Sequence, residues 1–226
     1  MAAGEGRRLR PLTERWPKPV LPIDGRPVIA TLLHELRAAA CRRVTVVTGH
    51  LAEQVERLLG DGSGFGLELV YARQPRPDGS ADAVARGLAA GAHPPLLVTT
   101  ADTVFKRGDI ARFEAAFEAA GTPGALAIRR DPPAGPSSGV DVETGRVTAI
   151  GGQAAAFAHA SLWGFGQELA SYLEGLGGPP YELADAYRRA IADGLEVSAF
   201  EVGRTRDLTD ALDLVEENFV YLSESE

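Results

Sequence analysis

The stretch Pro27-Val28-Ile29-Ala30-Thr31-Leu32-Leu33-His34-Glu35-Leu36-Arg37-Ala38-Ala39-Ala40, followed by Val44-Thr45-Val46-Val47, changes its apolar period partway along. Val28, Ile29, Leu32, Leu33 and Leu36 recur at the spacing of one helix face, and Pro27 suits a first helical turn, where its missing N–H costs nothing. Val44 to Val47 is a β-rich run. The alternation repeats downstream: a helix from about Leu51 to Leu59, a strand from Leu67 to Tyr71, a helix from about Ser80 to Ala90, and an apolar strand from Leu96 to Thr100. Strands alternating with helices of this length predict an α/β fold, a Rossmann-like and mostly parallel sheet flanked by helices.

Beyond a helix from about Asp109 to Ala120 the pattern loosens. Strands are predicted at Ala125 to Ile128, Gly139 to Val142, Arg146 to Ile150 and Ala160 to Phe165, with Glu143-Thr144-Gly145 as a hairpin turn. Helices follow at about Gly166 to Glu174 and Glu182 to Ala192, then a strand from Glu196 to Val202 and a closing helix near Leu208 to Asn218. The Pro, Gly and Ser cluster from Asp131 to Ser138 reads as a loop over a cleft. At 226 residues and 45% hydrophobic, the chain can bury one sizeable core. We read one domain, 1–226, with a first half at 1–122 and a smaller α+β portion at 123–226.

Against 31 Asp and Glu stand 23 Lys and Arg, a formal charge of −8, with no basic run longer than two residues. Nucleic acid and anionic membrane are disfavoured as partners on that ground. A phosphate ligand is not, because it needs only a few placed cations and backbone N–H groups. Cys41 is the single cysteine and the four histidines lack ligand spacing, so internal disulfides and Cys-based metal clusters are excluded and a reducing cytoplasm fits. No apolar stretch approaches the roughly 18 residues of a membrane span, and no signal-peptide pattern opens the chain.

Gly4-Glu5-Gly6-Arg7-Arg8-Leu9-Arg10-Pro11-Leu12-Thr13 is the most informative segment. Two glycines two apart let backbone N–H groups converge on an anion, and Arg8 adds fixed charge. The third glycine of a dinucleotide fingerprint would fall at Leu9, and the Walker pattern is absent. In Pro17-Lys18-Pro19-Val20-Leu21-Pro22-Ile23-Asp24-Gly25-Arg26-Pro27 the prolines restrain Trp16 and Lys18, which sets the lysine on a stiff strut. A pre-organised ammonium is what phosphoryl transfer uses, since charge rises on the α-phosphate as a nucleophile approaches. Alone, such a turn is more often a solvated surface feature.

Together these segments resemble the sugar-1-phosphate nucleotidylyltransferases, whose signature Gly-x-Gly-x-Arg-Leu-x-Pro-Leu-Thr, Pro-Lys-Pro and Pro-x-x-Gly-x-Pro is present between Gly4 and Pro27. The resemblance implies the nucleotide-diphospho-sugar transferase fold, with a nucleotide-binding first half and an acceptor-binding second half. It implies a Mg²⁺-dependent reaction of an NTP with a phosphorylated small molecule, a sugar 1-phosphate, releasing pyrophosphate. Ala2, Ala3, Gly4, Gly6 and Arg8 would then surround the nucleotide phosphates, and Lys18, together with Arg8 as a second catalytic cation, would offset the charge that develops at the α-phosphate. Met1 stands where the family has the last residue of a buried first strand. Either the chain is shown without a few native residues or the sheet is incomplete at its centre.

Gln74-Pro75-Arg76-Pro77-Asp78-Gly79-Ser80-Ala81-Asp82-Ala83 follows a strand and leads into a helix. An amide both donates and accepts, which suits a pyrimidine edge, although Pro77 to Ser80 also reads as an ordinary turn with Ser80 as a helix cap. The segment resembles the base-binding loop of glucose-1-phosphate thymidylyltransferases, which implies that Gln74 and Gly79 contact thymine or uracil, and so dTTP or UTP.

Leu96 to Asp102 is an apolar strand ending in an acid, and ligands of open parallel sheets bind at the carboxyl ends of strands. Asp102 can hold Mg²⁺ or equally cap a helix. Ala101-Asp102-Thr103-Val104-Phe105 resembles the family's Gly-Asp-x-x-Phe, which makes Asp102 a catalytic metal ligand. By the same resemblance Glu201 replaces the second metal carboxylate, with Asp207 as a nearby alternative that reads better as a cap of the last helix. Asp131-Pro132, Ser138-Gly139-Val140 and Glu182-Leu183-Ala184-Asp185 resemble acceptor segments, which places Gly139 and Glu182 against the acceptor. The family's Glu-Lys-Pro is replaced by Gly151-Gly152-Gln153, and Arg129 or Arg130 is left to supply a cation. Two alternatives remain: a cytidylyl- or guanylyltransferase acting on another phosphorylated small molecule, and a non-catalytic nucleotide-binding regulator.

Overall fold

The helical spacing of Val28 to Leu36 does form a helix, whereas the continuous apolar runs at 124–128 and 162–165 are extended and buried on both faces. The computed structural model describes residues 1–130, 138–152 and 155–219. The first part runs β1 (Pro22–Ile23), β2 (Arg26–Pro27), α1 (Val28–Ala38), β3 (Arg43–Thr48), α2 (Ala52–Leu59), β4 (Glu68–Arg73), α3 (Ser80–Ala89), β5 (Leu96–Thr99), β6 (Thr103–Val104) and α4 (Asp109–Ala120). The second runs β7 (Gly124–Arg129), β8 (Gly139–Glu143), β9 (Arg146–Ile150), β10 (Phe157–Phe165), α5 (Leu183–Ala192), β11 (Val197–Glu201), β12 (Arg206–Asp207) and α6 (Ala211–Glu216). The helix expected from Gly166 is a 3-10 helix at Gln167–Leu173. Asp131-Pro132, most of the expected 131–138 loop and Gln153 lie outside the described residues.

The α/β class holds, and strand direction is more mixed than the alternation predicts. β3 and β4 pair in parallel, as do β7 and β11. The largest sheet has the order β5-β10-β7-β11-β9-β8, in which β10 runs antiparallel to β5, β7 and β8. Among the described residues no helix intervenes between β7 and β10, and strands joined without a crossover helix pair antiparallel.

Helices cover both faces of β7, where alternate residues face opposite ways. Ala125 and Ala127 join Leu33, Ile110, Phe113 and Phe117 of α1 and α4. Leu126 and Ile128 join Leu169, Leu183 and Tyr187 on the other side. Among the described residues no helix is long and apolar enough to cross a membrane. Tyr187 is fully buried, and its hydroxyl donates to the Gly164 carbonyl at 2.7 Å. Tyr187→Phe leaves that carbonyl without its donor and is expected to destabilise the fold by about 1 kcal/mol in denaturant titration.

At the centre, Met1–Ala3 occupies the line between β3 and β5. Ala2 bridges Thr48 in parallel and donates to the Val47 carbonyl at 2.8 Å, Met1 N donates to the Thr99 carbonyl at 2.7 Å, and Ala101 N donates to Met1 O at 2.9 Å. Ahead of Met1 the space between these strands is a cavity of about 890 Å³ walled by apolar side chains such as Leu33, Val44, Val46, Leu97 and Phe117.

Candidate functional site

The opening loop is shaped by one glycine. Gly6 has φ of 61°, and a Cβ there would lie 2.9 Å from Thr13 Cγ2, so the position needs glycine for conformation and for space. Thr13 is buried, and its hydroxyl donates to the Gly6 carbonyl at 2.9 Å while His50 Nε2 donates to the Thr13 carbonyl at 2.6 Å. Buried Leu9 anchors the turn from below. Arg7 and Arg10 both reach Glu5, whereas Arg8 is exposed.

Below this loop, at the carboxyl end of β5, lies a cavity of about 300 Å³. Ala2, Ala3, Gly4 and Lys18 form one wall, Gln74 and Gly79 a second, and Asp102 and Glu182 close it. Eight residues singled out in the sequence therefore meet here although their positions span 180 in the chain. Gly6, Arg8, Gly139 and Glu201 are not among its walls.

Lys18 sits in a short 3-10 turn, Lys18–Val20, between Pro17 and Pro19. Its side chain is 17% exposed, and its ammonium forms an ion pair with Asp102 Oδ2. Burial alone would raise the Asp102 carboxyl, but the Lys18 ammonium and a hydrogen bond from Thr100 outweigh it and hold the group below the ordinary carboxylate value. The pair is thus charged on both sides, a cation and an anion held at the same cavity wall.

Gln74 is 5% exposed. Its Nε2 donates to the Gly79 carbonyl at 2.9 Å and to Asp82 Oδ2 at 2.7 Å, and Arg86 Nε donates to the same Oδ2 at 2.7 Å. Across the cavity, Ser80 does not cap its own helix. Its hydroxyl donates to Glu182 Oε2 at 2.6 Å and accepts from Leu183 N at 2.7 Å, so it serves the start of α5 instead. Ala81 N to Tyr181 O and Tyr181 N to Asp78 O, at 2.8 and 2.7 Å, complete a lock between the two halves of the chain.

The two acidic candidates near the C-terminus separate. Glu201 ends β11, where its carboxylate accepts from Arg130 Nε at 2.9 Å, and Arg130 also lies over the Phe157 ring. Asp207 does not cap the last helix: Asp210 does, with Asp213 completing a capping box. Asp207 pairs with Thr103 across β12 and β6, which sets it beside Asp102 in the chain fold. Burial raises its carboxyl and the Asp102 charge adds to this, against hydrogen bonds from Thr103 and Thr205. A folded value above the ordinary 3.8 means that folding favours the protonated form, so this stability is present at acid pH and lost as pH rises through the folded value. Asp207→Asn is accordingly expected to raise the melting temperature at pH 7 by a few degrees, with the gain gone near the ordinary value of 3.8. An unchanged difference across that range would contradict the assignment.

On the acceptor side, a Cβ at Gly139 would lie 2.1 Å from the Gly152 carbonyl, and Gly151 N donates to Gly139 O at 2.7 Å. The segment that replaces the expected Glu-Lys-Pro thus packs on Gly139 itself. Arg129 Nη1 donates to Thr205 Oγ1 at 3.0 Å. Sequence reading missed Asp82, Arg86 and Thr100. Asp82 and Arg86 carried a readable signal, an i,i+4 acid and base on α3; Thr100 carried none.

A family model described as nucleotidyl transferase matches residues 1–138. An N-acetylmuramate alpha-1-phosphate uridylyltransferase of Neisseria meningitidis is 37% identical over 123 residues, 53% of this chain and 51% of the relative. A glucose-1-phosphate thymidylyltransferase of Neisseria gonorrhoeae is 44% identical over 84 residues, 37% of this chain and 29% of the relative. The matched stretch thus spans about half or less of these relatives. Among solved structures, UDP-glucose pyrophosphorylase complexed with UDP-glucose superposes with a TM-score of 0.83 at 20% identity, covering 99% of this chain and 97% of that one. UTP-bound UGPase from Acinetobacter baumannii gives 0.81 at 19%, covering 100% and 93%. At such identities the likeness shows the fold.

Proposed function

The chain belongs to the nucleotidyl transferase family, and from that membership and the cavity around Lys18 we propose that it transfers a uridylyl or thymidylyl group from UTP or dTTP to a sugar 1-phosphate. An acceptor phosphate oxygen attacks the α-phosphorus, the bond from that phosphorus to the bridging oxygen breaks, and pyrophosphate leaves. The observation that carries the reading is the Lys18 ammonium held against Asp102 in a cavity walled by the Ala2–Gly4 backbone and the Gln74–Gly79 loop.

In this reading the backbone of residues 2–4, with Gly6 and Arg8 above it, receives the triphosphate, and Lys18 offsets charge growing on the α-phosphate. Gln74 and Gly79 meet the base. Glu182, at the far wall, meets the acceptor, with Gly139 behind the segment that packs on it. The donor set fits Mg²⁺: Asp102 offers a hard carboxylate oxygen beside the Thr100 hydroxyl, and this ion takes few protein carboxylates. Glu201, one of whose carboxylate oxygens accepts from Arg130, would supply the second carboxylate. When bound, the ion would draw charge from the phosphate oxygens. Chemistry of this kind depends mainly on positioning and electrostatics.

Pyrophosphate release with UTP, dTTP, CTP or GTP against a panel of sugar 1-phosphates and Mg²⁺ tests the reading; turnover only with CTP or GTP would overturn the base assignment. A second reading, a regulator that binds nucleotide without turnover, is favoured by the packing of Gly152 on Gly139 and by the engagement of Arg130 with Glu201. Binding of UTP with no acceptor consumed anywhere in the panel would establish it.

A further inference from the structure

A carboxamide presents a donor on one side and an acceptor on the other, and either can face a ligand unless the protein settles the matter. At Gln74 two groups settle it. The Gly79 carbonyl and the Asp82 carboxylate can only accept, and they lie 2.9 and 2.7 Å from the same Nε2. Both amide protons are consumed. Turning the amide over would set Oε1 against a carbonyl and a carboxylate at once, in a site where Gln74 is 5% exposed and repulsion is weakly screened. Oε1 is then the atom that Gln74 offers to the cavity it lines.

We infer that Asp82, held by Arg86, is a positioning residue for base selection: it orients the Gln74 amide so that Oε1 accepts from the imide N–H of uracil or thymine and repels the ring-nitrogen lone pair of cytosine. The inference rests on the uridylyl or thymidylyl reading above. It adds a residue that touches no substrate. Arg86 holds the carboxylate from the next turn of α3, its Nε 2.7 Å from the oxygen that Gln74 contacts, so Asp82 cannot swing away without losing an ion pair. One oxygen receiving both donors also predicts which substitution is tolerated. Asn at 82 keeps an oxygen acceptor, whereas Ala keeps none.

The test is binding of UTP, dTTP and CTP with Mg²⁺, measured by titration calorimetry on the full chain as wild type, Asp82→Ala and Asp82→Asn, with melting temperatures recorded alongside. Wild type should prefer UTP and dTTP to CTP. Asp82→Ala should narrow that preference by about 10-fold or more, the effect of losing a hydrogen bond to a charged group, and Asp82→Asn should largely restore it. Preference for CTP in the wild type, no UTP binding, or equal weakening of all three nucleotides in Asp82→Ala would each overturn the inference. Should Asp82→Ala not fold, the wild type still decides: NMR should find both Gln74 side-chain amide protons protected from exchange with and without UTP, and rapid exchange of either is the contrary result. Selective UTP binding without pyrophosphate release would count against the transferase reading and leave the orientation of Gln74 standing.

Discussion

Lys18→Ala is expected to lower kcat for pyrophosphate release by about 10²–10³-fold, the effect of removing one pre-organised group aimed at developing charge. The change should fall on kcat more than on KM for the nucleotide, because backbone N–H groups of residues 2–4 remain to bind phosphate. The lysine is placed before substrate arrives. Pro17 and Pro19 fix the turn that carries it, and a Cβ added at Gly6 would come within 3.3 Å of Lys18 Cβ, so the loop and the lysine stem pack as one unit. Asp102 holds the ammonium meanwhile. Removing the cation also removes the largest influence that lowers the Asp102 carboxyl, leaving burial opposed by hydrogen bonds alone, so the carboxyl should rise. Lys18→Ala should therefore lose affinity for Mg²⁺ at mildly acid pH as well. Lys18→Arg keeps the charge but replaces a compact ammonium by a planar fork, and only partial recovery is expected. Full activity in Lys18→Ala would falsify the catalytic assignment.

What could be read from the chain was what is local or repeats. The helical period from Val28 to Leu36, the β-runs at Val44 and Leu96 and the Gly-x-Gly loop each occupy a short window, and the structure places the described elements close to those windows. What could not be read depends on partners far along the chain. Ser80 follows a turn and precedes an apolar helix, which locally reads as a cap, yet the Leu183 N–H, 103 residues away, takes its hydroxyl. Asp207 shows the same failure, because only the pairing of β12 with β6 puts it beside Asp102. The direction of β10 was hidden for another reason. Its second half is buried on both faces, so its apolar run is the same whichever way it runs. A bulge between His159 and Trp163, with Ser161 at φ of 57°, breaks the alternation and concealed where the strand begins. Among the site residues, those drawn from the three dense motifs, Ala2 to Lys18, Gln74 to Gly79 and the segment carrying Asp102, reach the cavity except Gly6 and Arg8. Those carried by sparser likeness divide: Glu182 is there, and Gly139 and Glu201 are held elsewhere.

Gly79→Ala should be the most disruptive single-methyl change in the site, destabilising the fold by about 3 kcal/mol, where strained backbone contributes roughly 1–3 and overpacking a further 1–3. Gly79 has φ of 107°, a conformation that L side chains rarely adopt, and an added Cβ would lie 2.3 Å from the Tyr181 carbonyl oxygen and 2.5 Å from Tyr181 N. Those are backbone atoms, pinned because Ala81 N donates to Tyr181 O and Tyr181 N donates to Asp78 O, and they cannot rotate away. Gly91 separates the two causes. It has φ of 93° with nothing within 4 Å of an added Cβ, so Gly91→Ala meets strain without collision and should cost about 1 kcal/mol, near the lower limit for strain alone. The gap between the two variants in denaturant titration then measures the collision with Tyr181. Function should follow the same division. Relief of the clash requires the 77–80 turn to part from Tyr181 and Glu182, which moves the Gly79 carbonyl that holds Gln74 and the Ser80 hydroxyl that holds Glu182. KM should therefore rise for the nucleotide and the acceptor together in Gly79→Ala, and for neither in Gly91→Ala. A rise confined to the nucleotide would mean that the two halves of the site move independently despite the lock between them.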